Sequence, residues 1–270
     1  MVLDGCEWKA AMDRHREKPD DAFIHKILGI YRDLGYTYLR DGGDALGAGK
    51  RARELSPLYG ITYRTPLSPL SLQGCYGGFI GTRFSSLEEY ARLVVKNKEE
   101  GADFIKIMIS GLMDFDSFGV LRLAGPDAGT IRQMVHIAHQ EGMAVMAHCN
   151  GTRAALAAAE MGAESIEHGA YLEEEALHAM KEAGTVWVPT LSTIGNLLGK
   201  GRFPDREVEK ILDSAMENVN TFASMGGLLA PGSDAGAWAV PHGAETEHTL
   251  LSRAGAGDLT AGIQRITEVF

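Results

Sequence analysis

Six glycines set the frame of this chain. At Gly35, Gly101, Gly142, Gly162, Gly184 and Gly226, a segment with helical periodicity stops and an apolar run begins within a residue or two. Glycine takes the left-handed conformation that closes a helix at no Cβ cost, and so short a link is what an α-to-β turn in a parallel α/β unit uses. A chain that repeats this unit has few architectures open to it, chiefly a parallel sheet with helices packed against it. The helical stretches agree: Ser86 with Glu89 forms a capping-box pattern, and Leu87, Tyr90, Ala91 and Val94 then share one apolar face.

Strand-like runs fall at 36–40, 60–64, 103–109, 143–148, 164–168, 185–189 and 228–232. They leave an eight-stranded barrel one strand short, and a stub at Met1-Val2-Leu3-Asp4, ahead of a helix near 19–34, is the remaining candidate. A doubly wound open sheet is disfavoured, because no GxGxxG or GxxxxGK[ST] loop follows a strand. The expectation is an α/β fold: a TIM-type (β/α)8 barrel, missing or truncated at strand one. It would be a single domain over 1–270, since no Pro/Gly/Ser-rich linker interrupts a chain whose 45% hydrophobic residues can fill a sizeable core.

Composition narrows the function. A formal net charge of −10 argues against nucleic acid and anionic membranes as partners, and favours a small-molecule substrate. Cys6, Cys75 and Cys149 lack CxxC spacing, so neither a disulfide framework nor a cysteine zinc site is suggested, and a reducing cytoplasm is expected. No apolar run approaches the roughly 20 residues that span a bilayer.

Four polar residues stand on or just after strand runs: Lys106 in DFIKIMIS, His148 in MAVMAHCN, His168 in ESIEHGA and Asp234 in LLAPGSDAG. Alternation turns Ile105, Ile107 and Ile109 toward helices and Phe104, Lys106 and Met108 toward the barrel interior. The histidines lie at the C-terminal ends of their strands, where barrel active sites are built. Each residue has a plainer reading. A strand-end histidine is more often a satisfied core residue than a ligand, and an aspartate before Ala-Gly is usually a turn or cap residue. An interior lysine is harder to dismiss, because an unpaired buried ammonium is costly. All four falling at strand ends of one sheet points to a site.

Together, GADFIKIMISG, AVMAHCNG, GAESIEHGAYL and APGSDAGAWAVPHG, in this order over roughly residues 28 to 255, resemble the amidohydrolase superfamily, within it the imidazolonepropionase-like and prolidase-like branch. The resemblance implies hydrolysis of a C–N bond in a small amide, cyclic amide or dipeptide-like substrate by a metal-activated water. It implies one or two divalent ions, often zinc, held by Lys106 carboxylated with carbon dioxide, by His148 and His168, and by Asp234, which also handles the proton of the water. Tyr171 and His242 match positions near the substrate. Arg40 at the end of strand two could bind an anion, or could line the barrel in an ion pair with Asp41 or Asp44. Glu167, beside His168, points to the opposite face and reads as structural. The segments 74–81, 111–125 and 190–203 follow strands and are placed at the pocket mouth.

Two departures stand out. The family's strand-one His-x-His is absent; either Cys6 and Trp8 occupy its positions, or it lies upstream of residue 1. A missing first strand would leave its neighbours with unpaired edges, which invite association into a homo-oligomer. The chain closes on GDLTAGIQRITEVF, an amphipathic helical tail, with no flanking β-sandwich. Two other readings remain: a Schiff-base aldolase using Lys106 as a free amine, which leaves the other three residues unexplained, and a barrel that has lost its chemistry.

Overall fold

The computed structural model describes residues 8–236 and 239–270. The expected strand-one stub and Cys6 lie outside them, and Trp8 opens a helix. Helices α1 (Trp8–His15) and α2 (Asp21–Asp33) precede strand β1 (Tyr38–Arg40). Helix α3 (Ala48–Leu55) leads to β2 (Thr62–Arg64), β3 (Leu70–Leu72) and β4 (Thr82–Phe84), and α4 (Leu87–Glu99) leads to β5 (Ile105–Met108). A hairpin of β6 (Leu112–Met113) and β7 (Leu121–Arg122) comes before α5 (Ala128–Gln140). Then β8 (Val145–Cys149), α6 (Thr152–Ala159), β9 (Ser165–His168), α7 (Glu174–Ala183) and β10 (Val186–Val188) alternate. The chain continues through α8 (Ser192–Gly195), α9 (Asp205–Ser224), α10 (Thr246–Arg253) and α11 (Thr260–Val269).

All six helix-closing glycines are left-handed, with φ between 67° and 86°. Ser86 Oγ accepts from Glu89 N at 3.2 Å, while the Glu89 carboxylate takes Ser85 N at 2.7 Å, one residue earlier than a capping box would have it.

The fold is α/β with a parallel sheet. Six strands pair in the order β10-β9-β8-β5-β3-β4, and β1 pairs with β2. Asp103 N donates to Thr65 O at 2.9 Å, joining the end of β2 to the start of β5. At the other edge the expected 228–232 strand is reduced to a parallel bridge between Leu229 and Trp187. Among the described residues no ladder joins Leu229 to β1, so hydrogen bonding draws a parallel array and not a closed ring. The 60–64 run also differs: residues 62–64 pair with β1, but the neighbour of β5 is the separate strand Leu70–Leu72. Pro66 and Pro69 lie between the two pieces, and proline cannot donate to a ladder.

Alternation sorts the sheet as the sequence predicts. Ile105, Ile107, Ile109, Val145, Ala147 and Ile166 pack with Tyr90, Val94, Ile131 and Met134 of the helices. On the other face Phe104, Met146, Val186, Val188 and Ala230 form a second apolar cluster with Ile266 and Phe270. The amphipathic tail is thus α11, and the Phe270 ring meets Phe104 edge-on at 5.0 Å. No helix among the described residues is long and apolar enough to cross a membrane. Phe270→Ala should open a cavity under the inner face and lower stability by about 3 kcal/mol, read by urea denaturation.

Candidate active site

Lys106 leaves β5 on the inner face and is 6% exposed. Burial pulls its pKa down to about 8, against the opposing pull of Glu167 and Asp234. On the next strand His148 lies in ring contact with His168, centroids 4.7 Å apart. Burial, aided by Lys106, takes His148 down to about 3, and burial with His148 and Lys106 takes His168 well below the usual range. Both imidazoles are therefore neutral. Each has one nitrogen engaged: His148 Nε2 with Gly111 O at 3.3 Å, and His168 Nδ1 with Thr190 Oγ1 at 2.7 Å. Gly111 O also accepts from Asn150 Nδ2 at 3.0 Å, and Asn150 Oδ1 accepts from Ala170 N at 2.9 Å, which ties together the loops after β5, β8 and β9.

His168 does not reach this place by alternation. Its strand neighbours Ser165 and Glu167 face inward, while Ile166 joins the helix-side core. A residue two past Ile166 should point outward too. His168 has φ 69°, and this left-handed step turns the chain as the strand ends. Such a conformation costs a non-glycine residue about 1–2 kcal/mol. It is held by Gly169 N donating to Cys149 O at 2.9 Å and Trp187 Nε1 donating to His168 O at 3.0 Å. Of the six described left-handed non-glycine residues, the four with polar side chains, His168, Tyr171, Thr190 and Asp234, lie at or just past the ends of β9, β10 and the 228–232 run, so backbone strain gathers at the candidate site.

Arg40 lines the interior in an ion pair, but its partner is neither Asp41 nor Asp44. Its Nη2 lies 2.9 Å from Glu167 Oε1, its Nη1 donates to Ser165 Oγ at 2.7 Å, and the two charged side chains are 7% and 5% exposed. Glu167 is structural, as expected, yet it sits inside and not on an outer face. Asp44 instead caps α3, accepting from Ala48 N at 3.0 Å and Gly49 N at 2.8 Å.

Asp234 is raised to about 6 by burial, with Lys106 opposing. Tyr76, from the glycine-rich 74–81 loop, lays its ring 4.8 Å from His148, and burial together with Asp234 pushes its hydroxyl upward. Gly77 allows this approach, because a Cβ there would stand 2.5 Å from Met108 Cγ. The sequence places this loop at the mouth but does not single out the tyrosine. Tyr171 is half-buried and packs edge-on against Phe118 of the β6–β7 connection at 5.4 Å. His242 is set against α2, its Nδ1 3.0 Å from Tyr31 Oη. The structure thus brings together Lys106, His148 and His168, with Asp234 and Tyr76 beside them, and gives Arg40, Tyr171 and His242 other neighbours.

A cavity of about 450 Å³ adjoins this grouping, sharing Gly111 and Asn150 with it and walled by Leu121, Leu123, Pro126 and Arg153. A larger hollow of about 650 Å³ beside α1 is lined by residues 13–14 and 16–21 and holds none of the site residues. Among the described residues no three His, Cys, Asp or Glu side chains gather closely enough to hold a metal ion. The side chains that could serve a cation here are Lys106 and the two imidazoles. That donor set fits a divalent ion: the hydrogen bonds to Gly111 and Thr190 can take the N–H of each ring, leaving His148 Nδ1 and His168 Nε2 as lone pairs.

No family model matches the chain. Ochratoxinase of Aspergillus niger is 30% identical over 154 residues, 55% of this chain and 32% of that enzyme. In structure, a Xaa-Pro dipeptidase with bound methionine superposes with a TM-score of 0.74 at 21% identity, covering 90% of this chain and 66% of the other. The A. niger ochratoxinase gives 0.73 at 22% identity, covering 90% and 62%. A prolidase complexed with N-methylphosphonate-L-proline gives 0.73 at 23% identity, covering 94% and 68%. By sequence and by fold, then, the chain is similar to amidohydrolase-superfamily proteins, as its four motifs suggest. It spans less than two thirds of the length of the ochratoxinase. These relatives do not favour the Schiff-base reading of Lys106.

Arg40→Met would leave Glu167 as a buried unpaired carboxylate and should cost about 3–5 kcal/mol in chemical denaturation. An arginine serving only to bind substrate would leave stability unchanged.

Proposed function

We propose that this chain is a metal-dependent amide hydrolase built on a (β/α)8 barrel, and that its reaction centre is Lys106, His148, His168 and Asp234. The observation that carries the reading is the pair of neutral, contacting imidazoles beside a buried lysine whose pKa is drawn down to about 8. An amine with a pKa near 8 has a substantial neutral fraction near physiological pH, and that form can take up carbon dioxide and become an anionic carbamate, a donor an ammonium could never be. Lys106 in that form would hold a divalent cation, zinc or another, with His148 Nδ1 and His168 Nε2, and Asp234 nearby. When bound, such an ion supplies Lewis acidity and a water of lowered pKa.

The chain's own groups supply the rest. Asp234, raised to about 6, is ionised near neutrality yet easily protonated. It takes a proton at its carboxylate from the attacking water and delivers it to the nitrogen of the departing amine. Gly111 O and Thr190 Oγ1 hold the two imidazoles in fixed orientations. Tyr76 packs its ring against His148 and shields that imidazole from water.

The substrate class is a small amide, cyclic amide or dipeptide-like molecule, a range that takes in the Xaa-Pro dipeptides implied by the dipeptidase and prolidase names. Tyr171, with Phe118, is placed to flank the acyl or side-chain portion. Arg40 and His242, held by Glu167 and Tyr31, would contribute at a distance from the scissile bond.

Lys106→Ala is the direct test. After growth with zinc and bicarbonate, wild-type protein should carry metal by elemental analysis and release free amine from a panel of Xaa-Pro dipeptides and N-acyl amino acids. The variant should lose both while keeping its far-UV circular dichroism. Undiminished metal and hydrolysis in the variant would remove the carbamate assignment.

A further inference from the structure

We propose that Glu247 is a positioning residue of this site, whose carboxylate fixes the turn after β10 and through it aims both His168 and Asp234. Glu247 sits in the first turn of α10 and is 2% exposed. Among the described residues no lysine, arginine or histidine pairs with it. Its Oε1 accepts from Leu191 N at 3.0 Å and its Oε2 from Ser192 N at 2.7 Å. These donors open the single-turn helix α8, which has no side-chain cap of its own. A buried carboxylate is costly unless charge or hydrogen bonds compensate; burial raises Glu247 to about 7, and the hydrogen bonds from Ser192 and Leu191 pull against that rise.

A cap would stabilise α8 and do nothing more. What this one holds is a turn with two outlets to the reaction centre. Thr190, left-handed at φ 49°, immediately precedes the clamped amides, and its Oγ1 is the 2.7 Å partner of His168 Nδ1. Thr193 Oγ1 donates back to Thr190 O at 2.8 Å, closing the turn. On the other side Ser192 Oγ donates to Ser233 O at 3.1 Å, the residue before Asp234, which is itself left-handed at φ 50°. One side chain from a distant helix therefore anchors the two segments whose strained backbones present His168 and Asp234. A hydroxyl can donate or accept; on this proposal the held Thr190 Oγ1 accepts from His168 Nδ1–H, which leaves Nε2 as the lone pair.

The metal readout below rests on the hydrolase reading; the tautomer readout does not. In Glu247→Gln the amide nitrogen cannot accept, so one backbone N–H faces another donor and the turn loses its register. In Thr190→Val the shape is kept and the hydroxyl lost. Long-range 1H–15N spectra of metal-free protein, with the His168 signals assigned from a His168 variant, should show a single Nδ1-protonated tautomer in the wild type and a mixture in both variants. Zinc affinity, measured by chelator competition, should fall about 10–100-fold in each. The double variant should lose less than the product of the two, because both substitutions disturb the Thr190–His168 hydrogen bond. If Glu247→Gln does not fold, Glu247→Asp, which shortens the reach to the two amides, decides on the same readouts. A folded Glu247 variant with lowered melting temperature but wild-type His168 tautomer and zinc affinity would make Glu247 a cap and overturn the proposal. A wild-type protein that binds no zinc would overturn the hydrolase reading, while the tautomer would still judge Glu247.

Discussion

The structure depends on how it disposes of two cations inside one sheet. Arg40 and Lys106 both project to the inner face, where an uncompensated charge is expensive. A guanidinium cannot shed its proton in a protein, so Arg40 must be paired, and Glu167 with Ser165 supplies a closed set of hydrogen bonds. An amine can shed its proton, and Lys106 is drawn down to about 8, with no ion pair to a carboxylate among the described residues. The two residue types divide the work: arginine stands where the charge is to stay, lysine where it is to become removable. On the same inner face Phe104, Met146 and Phe270 pack as an apolar cluster.

Backbone strain follows the same division. The helix-closing positions carry glycine, where a left-handed residue costs nothing, and they serve the scaffold. His168, Tyr171, Thr190 and Asp234 carry side chains in that conformation, and the surrounding hydrogen bonds must over-determine them. Leu67 and Leu123 are left-handed too, but the four with polar side chains gather at one end of the sheet, and the candidate site is organised around that end.

Much of this was legible in the sequence. The glycines fixed the α/β rhythm because each marks a local conformational need, and the alternation in DFIKIMIS placed Lys106 inside because one face of that strand is wholly aliphatic. The limits were non-local. Alternation alone would have sent His168 outward, and its left-handed turn depends on Trp187 and Gly169, which no local pattern announces. Arg40 finds Glu167 across 127 positions in sequence, where proximity suggested Asp41 or Asp44. Tyr76 and Glu247 were missed for the same reason: one arrives on a loop, the other from α10, and only the packed chain gives either a partner. His242, picked out by its motif, makes its hydrogen bond to Tyr31 of α2, another partner across the chain.

The imidazole pair shows why these non-local contacts matter for chemistry. His148 and His168 come from adjacent strands paired one residue out of step, Cys149 lying opposite His168. Two side chains so placed would ordinarily face opposite sides of the sheet, and two identical ring orientations could not converge on one point. The left-handed step at His168 cancels the first difference. Tethering through unlike nitrogens cancels the second: His148 is held by Nε2 and His168 by Nδ1, so the free nitrogens differ too. Convergence of two neutral donors therefore needs a backbone carbonyl on one side and a hydroxyl on the other. The carbonyl is held by the Asn150 network after β5, and the hydroxyl rides on the turn clamped by Glu247. The reaction centre is assembled by loops that are themselves held by buried polar groups, which makes its geometry only as firm as those hydrogen bonds.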